Sequence, residues 1–436
     1  MLRAWRRDWA VILSHLPLMR LLQARAVGQV AQNALLYTLL LVVVERTGSS
    51  FFTALMVVTL TGPSIVFGVL GGALADALPL RWSLVGGAVA RAVIVALMIP
   101  NTGDLPTIFL LAFLFALVGQ LVGPAESAGL PRVVEPSWLA RANALFVMAA
   151  VVGQVVGAVM VAPLLFKLLK ERAVMAVVML LYAWVAVVAA RLGPLGRREM
   201  VGEEGPGLWQ ALLLGWRVLG RSRAAFLAMI YMTGAMTLLK VVVVLAPHYV
   251  KEVLGIATEN VVFVMAPAAV GAGLGLLLTP MLGRLIRIER AVVVGFGLLV
   301  AALLALGLVV QLRGIIVENL DLGIGFVERK LGVSSVITLT ILLAAPVGLA
   351  GTMVLVACRT ILNREAPLEA QARVFATQSA VADAVSLLPA LALGGMADLV
   401  GARYVLVAAT LVTLAAMGYV LGRAPALMER LRALPL

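Results

Sequence analysis

The chain has 436 residues, of which 63% are hydrophobic and only 13% charged, and its mean hydropathy is +1.10. Soluble domains hold about 45–50% apolar and about 25% charged residues, so no water-soluble core buries this much apolar surface and lipid must be the solvent for most of the chain. The formal charge of +13 does not point to nucleic acid, because the bases lie between apolar runs without interleaved aromatics. A single cysteine, Cys358, excludes an intrachain disulfide, and with only two histidines beside it no dedicated metal site or cofactor is expected.

The start of the chain carries Arg3, Arg6 and Arg7 around Trp5 and Trp9 but no long apolar stretch ending in small residues. It reads as an interfacial lead-in rather than a cleaved signal peptide. Apolar runs near the roughly 20 residues needed to cross hydrocarbon then recur. They predict twelve spans at 22–44, 51–74, 82–99, 106–124, 142–166, 173–191, 224–247, 257–283, 291–311, 335–357, 373–395 and 403–421. Basic residues in the segments on the N-terminal side outnumber those on the other side by more than two to one, which puts both termini in the cytoplasm of an inner-membrane protein. The longest inner gap divides the spans six and six. Residues 1–192 form one bundle and 223–436 a second, joined by a cytoplasmic linker, 193–222, that turns amphipathic from Leu208 to Leu219. A long outer connection, 312–334, alternates apolar and charged residues and predicts a short surface helix.

The hairpin between spans 2 and 3 reads Gly72-Ala73-Leu74-Ala75-Asp76-Ala77-Leu78-Pro79-Leu80-Arg81. It resembles the Gly-x-Leu-Ala-Asp-Arg-x-Gly-Arg-Lys signature of the major facilitator superfamily (MFS), with Ala77, Pro79 and Leu80 as departures. Further on, Gly123-Pro124-Ala125, Gly129-Leu130-Pro131 and Leu139-Ala140-Arg141-Ala142-Asn143 lead into Gly153-x-x-x-Gly157. That order is similar to the drug, macrolide and siderophore exporter branch of the superfamily. Asn33-Ala34-Leu35-Leu36-Tyr37, with a base inside span 7, also resembles the bacterial lysophospholipid transporters. The resemblance implies an all-α membrane protein of twelve transmembrane helices in two pseudo-symmetric six-helix bundles. It further implies a cytoplasmic lock built on Gly72, Asp76 and Arg81, with Arg373 and the start of helix 11 as the partner of Asp76. Met396-Ala397-Asp398 after Gly395 repeats the hairpin pattern at the other end of the bundle.

A charge at membrane depth costs about 2.5–3.5 kcal/mol on insertion scales, so each one needs a reason. Asp383 lies deep in span 11 with Ser379 and Ser386 on its face, and it reads as the only carboxylate deep in any span. Burial and a neighbouring cation pull a carboxyl's proton affinity in opposite directions, which suits a proton-coupling group. Lys240 in span 7 continues a stripe from Thr233 and Thr237 and is the expected partner of Asp383. In span 1, Arg25, Gln29 and Gln32 share a face with Asn33 adjacent and Tyr37 beyond. Gln29, Gln32 and Asn33 are candidate substrate contacts, and Arg25 reads as an interfacial anchor. Gln120 and Gln154 read as helix-to-helix contacts. Arg91 matches an arginine common in the exporter branch, but Ala88 replaces the usual acid, and a structural role is expected.

No Walker loop, His-Glu-x-x-His or Gly-x-Ser-x-Gly motif occurs, so energy must come from an ion or substrate gradient. The expected function is proton-coupled export of an amphipathic or lipophilic small molecule by a monomer working in the lipid bilayer. Lysophospholipid flipping is the alternative, and a membrane-embedded enzyme or sensor is a distant third.

Overall fold

Backbone N–H and C=O groups inside hydrocarbon have no water to bond, so an apolar chain crosses as helices that satisfy themselves. The computed structural model describes residues 15–77, 79–135, 138–192, 222–319, 334–365 and 371–432, with no strand among them. Helices α1 (Leu16–Thr47), α2 (Ser50–Ala77), α3 (Leu80–Met98) and α4 (Leu105–Val133) come first. Then α5 (Leu139–Val155) runs through a π-helical turn, Val156–Val161, into α6 (Ala162–Ala190). Lys170, at φ 65° and ψ −179°, is a non-glycine residue with positive φ, and it breaks this helical run at the corner between spans 5 and 6. The chain continues with α7 (Arg223–Glu252), α8 (Val262–Leu285), α9 (Ile288–Gly307), α10 (Ser335–Glu365), α11 (Gln371–Val400) and α12 (Ala402–Gly422).

Ten described stretches are long and apolar enough to cross a bilayer. One of them, Leu145–Ala190 with 46 residues, holds two spans, and α2 adds the last through its apolar start, Ser50–Ser64. The twelve expected spans are therefore present, most of them longer than the hydropathy runs. The outer connection begins as a short helix, Val309–Asn319. Its remainder, the linker at 193–221 and the first fourteen residues lie outside the described residues.

The fold comprises two compact units, Met1–Val43 with Met56–Glu203, and Val44–Leu55 with Glu204–Leu436. In unit 1, α3 packs along α6 and α4, over a core that includes Leu18, Leu21, Leu80, Leu84 and Phe146. Gly153 and Gly157 press directly onto α1, since a Cβ on either would strike the carbonyl oxygen of Ala26 or Val30. In unit 2, α10 packs against α8 and α9, while α7 lies against α10, α11 and α12.

Two acids in unit 2 satisfy helix starts that have no internal acceptor. Asp398, near the end of α11, accepts the Ser50 N–H at 2.5 Å, the Phe51 N–H at 3.2 Å and the Ser49 hydroxyl at 2.5 Å, and so caps α2. Glu252, ending α7, accepts the Ala402 N–H at 2.8 Å and caps α12. The repeated Gly-x-Ala-Asp pattern thus ends in a helix cap.

Candidate functional site

Unit 1 holds a cavity of about 380 Å³ between α1, α2, α3, α4 and α6. Gln29, Gln32 and Asn33 of α1 line it, as their shared face requires, together with Gln120 of α4. Asn33 donates to the Gln29 carbonyl at 2.9 Å and to its side-chain oxygen at 3.3 Å, which fixes the two amides together. Tyr37 does not line this cavity, and Gln154 is exposed on α5.

The cavity also holds charges that the sequence does not bring together. Glu126 is buried, and Arg25 donates to its Oε2 at 2.5 Å. This corrects two expectations: Asp383 is not the only deep carboxylate, and Arg25 is an ion-pair partner rather than an interfacial anchor. Gly123-Pro124 reads as the end of a span, yet α4 continues to Val133. Membrane helices tolerate proline where neighbours satisfy the freed carbonyl, and the extra turns carry Glu126 into the bundle. The Arg25 guanidinium also lies 4.9 Å from the Phe146 ring centroid.

Arg91 is buried on the same wall, with its guanidinium 4.7 Å from the Phe115 centroid and 5.5 Å from that of Tyr182. Its Nη1 donates to the Tyr182 hydroxyl at 3.4 Å, and that hydroxyl donates to the Gly28 carbonyl at 3.4 Å. A methyl group on Gly119 would collide with Nη2.

In unit 2 the structure brings Lys240 and Asp383 together. Lys240 Nζ donates to Asp383 Oδ1 at 2.6 Å and to Ser386 Oγ at 2.8 Å, while the Ser386 hydroxyl donates to the Asp383 carbonyl at 3.1 Å. Both charged side chains are about one-fifth exposed. Thr237 donates to the Thr233 carbonyl at 2.9 Å, one turn from Lys240 on α7. Both threonines line an apolar cleft of about 520 Å³ whose other walls include Met229, Val381, Val385, Pro389 and Val412.

Of the hairpin residues, Gly72 lies within helical backbone and Arg81 stacks on Trp82 at 5.7 Å. The side chains of Asp76, Arg373 and Ser379 lie outside the described residues. No group of three or more potential metal-binding side chains occurs among the described residues.

Twelve apolar spans that bury ion pairs beside open cavities have the build of a membrane transporter rather than an enzyme. The Major Facilitator Superfamily model matches residues 24–327, and the chain belongs to that superfamily. No curated protein sequence gives a significant match. Solved structures with the same fold include the nucleoside transporter NupG, at 12% identity and a TM-score of 0.69, covering 95% of this chain and 99% of that one. A bacterial homologue of the human lysosomal transporter Spinster, inward-facing and unoccupied, has 12% identity and a TM-score of 0.67 over 96% of this chain and 98% of its own. A POT family transporter in complex with 5-aminolevulinic acid has 13% identity and a TM-score of 0.69 over 94% and 96%. At such identities the likeness establishes the fold.

Proposed function

We propose that the protein is a monomeric secondary transporter of the inner membrane that exports amphipathic or lipophilic small molecules in exchange for protons. In this reading residues 1–192 and 223–436 are the alternating halves, the linker 193–222 and both termini are cytoplasmic, and Gly72, Asp76, Arg81 and Arg373 form the cytoplasmic lock. Gln29, Gln32, Asn33 and Thr237 contact the substrate. The observation that carries the reading is the partly exposed Lys240–Asp383 pair, held with Ser386, beside an apolar cleft. A proton on Asp383 removes its charge and releases Lys240, so one titration changes how α7 and α11 are tied together. The few fixed polar groups around the cleft favour an apolar cargo over a sugar.

In proteoliposomes, Asp383→Asn abolishes pH-gradient-driven movement of a panel of fluorescent amphiphiles, while exchange of the same compounds without a gradient continues. Driven transport that survives in Asp383→Asn removes the coupling role.

Lysophospholipid flipping is the second reading, favoured by an apolar cleft of a size for an acyl chain, lined by Thr237 one turn from Lys240 on α7. Lysophospholipid uptake lost in Lys240→Ala, with drug resistance unchanged in cells, selects it over drug export.

A further inference from the structure

The charges in the unit 1 cavity do not balance. Two guanidinium groups, Arg25 and Arg91, face one carboxylate, Glu126, and Arg25 already occupies it. Among the described residues no carboxylate lies within ion-pair distance of Arg91, and its buried Nε has no hydrogen-bond partner. Arginine stays protonated in proteins, so this surplus charge cannot be shed as a buried lysine or aspartate would shed it. Two aromatic faces and one phenolic hydroxyl hold the group in place without neutralising it. An isolated cation in this setting is expensive to keep, and the described residues supply no anion to offset it.

We infer that the unit 1 cavity is an anion-recognition subsite in which Arg91 binds the oxyanion group of an amphiphilic cargo, such as a phosphate, carboxylate or sulfonate. This deepens the transport reading and rests on its assignment of the Gln29–Asn33 face to the substrate. The Arg91 guanidinium lies against Phe115 and Tyr182 and lines the cavity, so an oxyanion entering it meets a charge-assisted donor. Gln29 and Gln32 line the same space and supply amide donors to the remaining oxygens. Gly119 lets Nη2 sit where a Cβ would otherwise stand, so a side chain there would displace the guanidinium. The cargo is then a molecule with an apolar body and a negative head, in contrast to the lipophilic cations that a purely apolar site would accept.

The test is binding to the full-length protein in phosphatidylcholine nanodiscs, by isothermal calorimetry with no proton gradient, so that a failure of proton coupling cannot imitate failure of the subsite. The probes are octyl phosphate, octyltrimethylammonium, octyl glucoside and inorganic phosphate. Octyl phosphate binds the wild type at least about tenfold more tightly than the other three, as one charge-assisted contact predicts. Arg91→Gln loses that preference, and Gly119→Ala weakens octyl phosphate binding roughly threefold while keeping every charge. The inference is overturned if the neutral or cationic amphiphile binds equally well, or if inorganic phosphate matches octyl phosphate. It is also overturned if Arg91→Gln binds octyl phosphate like the wild type. If Arg91→Gln does not fold, Gly119→Ala decides: wild-type binding there makes Arg91 a structural clamp, and weakened binding upholds the subsite.

Discussion

The two units each bury an acid against a base from another helix, but the two pairs are chemically different. In unit 2, Lys240 pairs with Asp383, and both side chains are about one-fifth exposed. In unit 1, Arg25 pairs with a buried Glu126 beside a second arginine, and neither base gives up its proton. The first arrangement suits a group that cycles between charged and neutral. The second suits a fixed field of one sign. One protein thus holds a lysine–carboxylate pair and an arginine–carboxylate pair on different helices.

Breaking each pair in turn measures that difference. The largest effect falls on unit 1: Glu126→Leu leaves the half-buried Arg25 and the buried Arg91 without a carboxylate and costs about 3–5 kcal/mol, read as a fall in the thermal unfolding midpoint in detergent. Equal midpoints for Glu126→Leu and wild type mean that water already screens the cavity. In unit 2, Lys240→Ala leaves Asp383 without its cation but more exposed than Glu126, so the loss is smaller, about 2–3 kcal/mol. The double change Lys240→Ala/Asp383→Ala recovers most of it, and a double variant no more stable than the single one contradicts the pairing. The smallest effect belongs to the cap, where Asp398→Ala removes the acceptor for the Ser50 and Phe51 N–H groups. It costs about 1–2 kcal/mol by the same measurement, and a change below the noise shows that the α2 start finds another acceptor.

The spans were legible because twelve apolar runs of membrane length allow few other outcomes. Lys240 and Asp383 were legible for the opposite reason, as rare charges in an apolar background with hydroxyls on their own helical faces. Glu126 was not. Its neighbours Gly123 and Pro124 punctuate soluble helices, and only the bundle reveals that α4 continues past them. Its partner Arg25 stands 101 positions away, a distance over which no helical period gives guidance. The cap at Asp398 escaped for a similar reason, since its motif resembles a hairpin whereas its acceptor role depends on a helix start 348 residues earlier.

The seam between α8 and α10 has a mechanical consequence. Gly271 leaves its missing side chain's place to the Ala345 carbonyl, and Gly348 leaves its place to the Ala268 carbonyl, so each backbone is seated in a notch of the other. Side chains slide past one another by changing rotamer, but two interlocked main chains have no such freedom. The pair therefore turns or tilts as a single plank, and any deformation during the working cycle must be taken up by helices elsewhere in the unit.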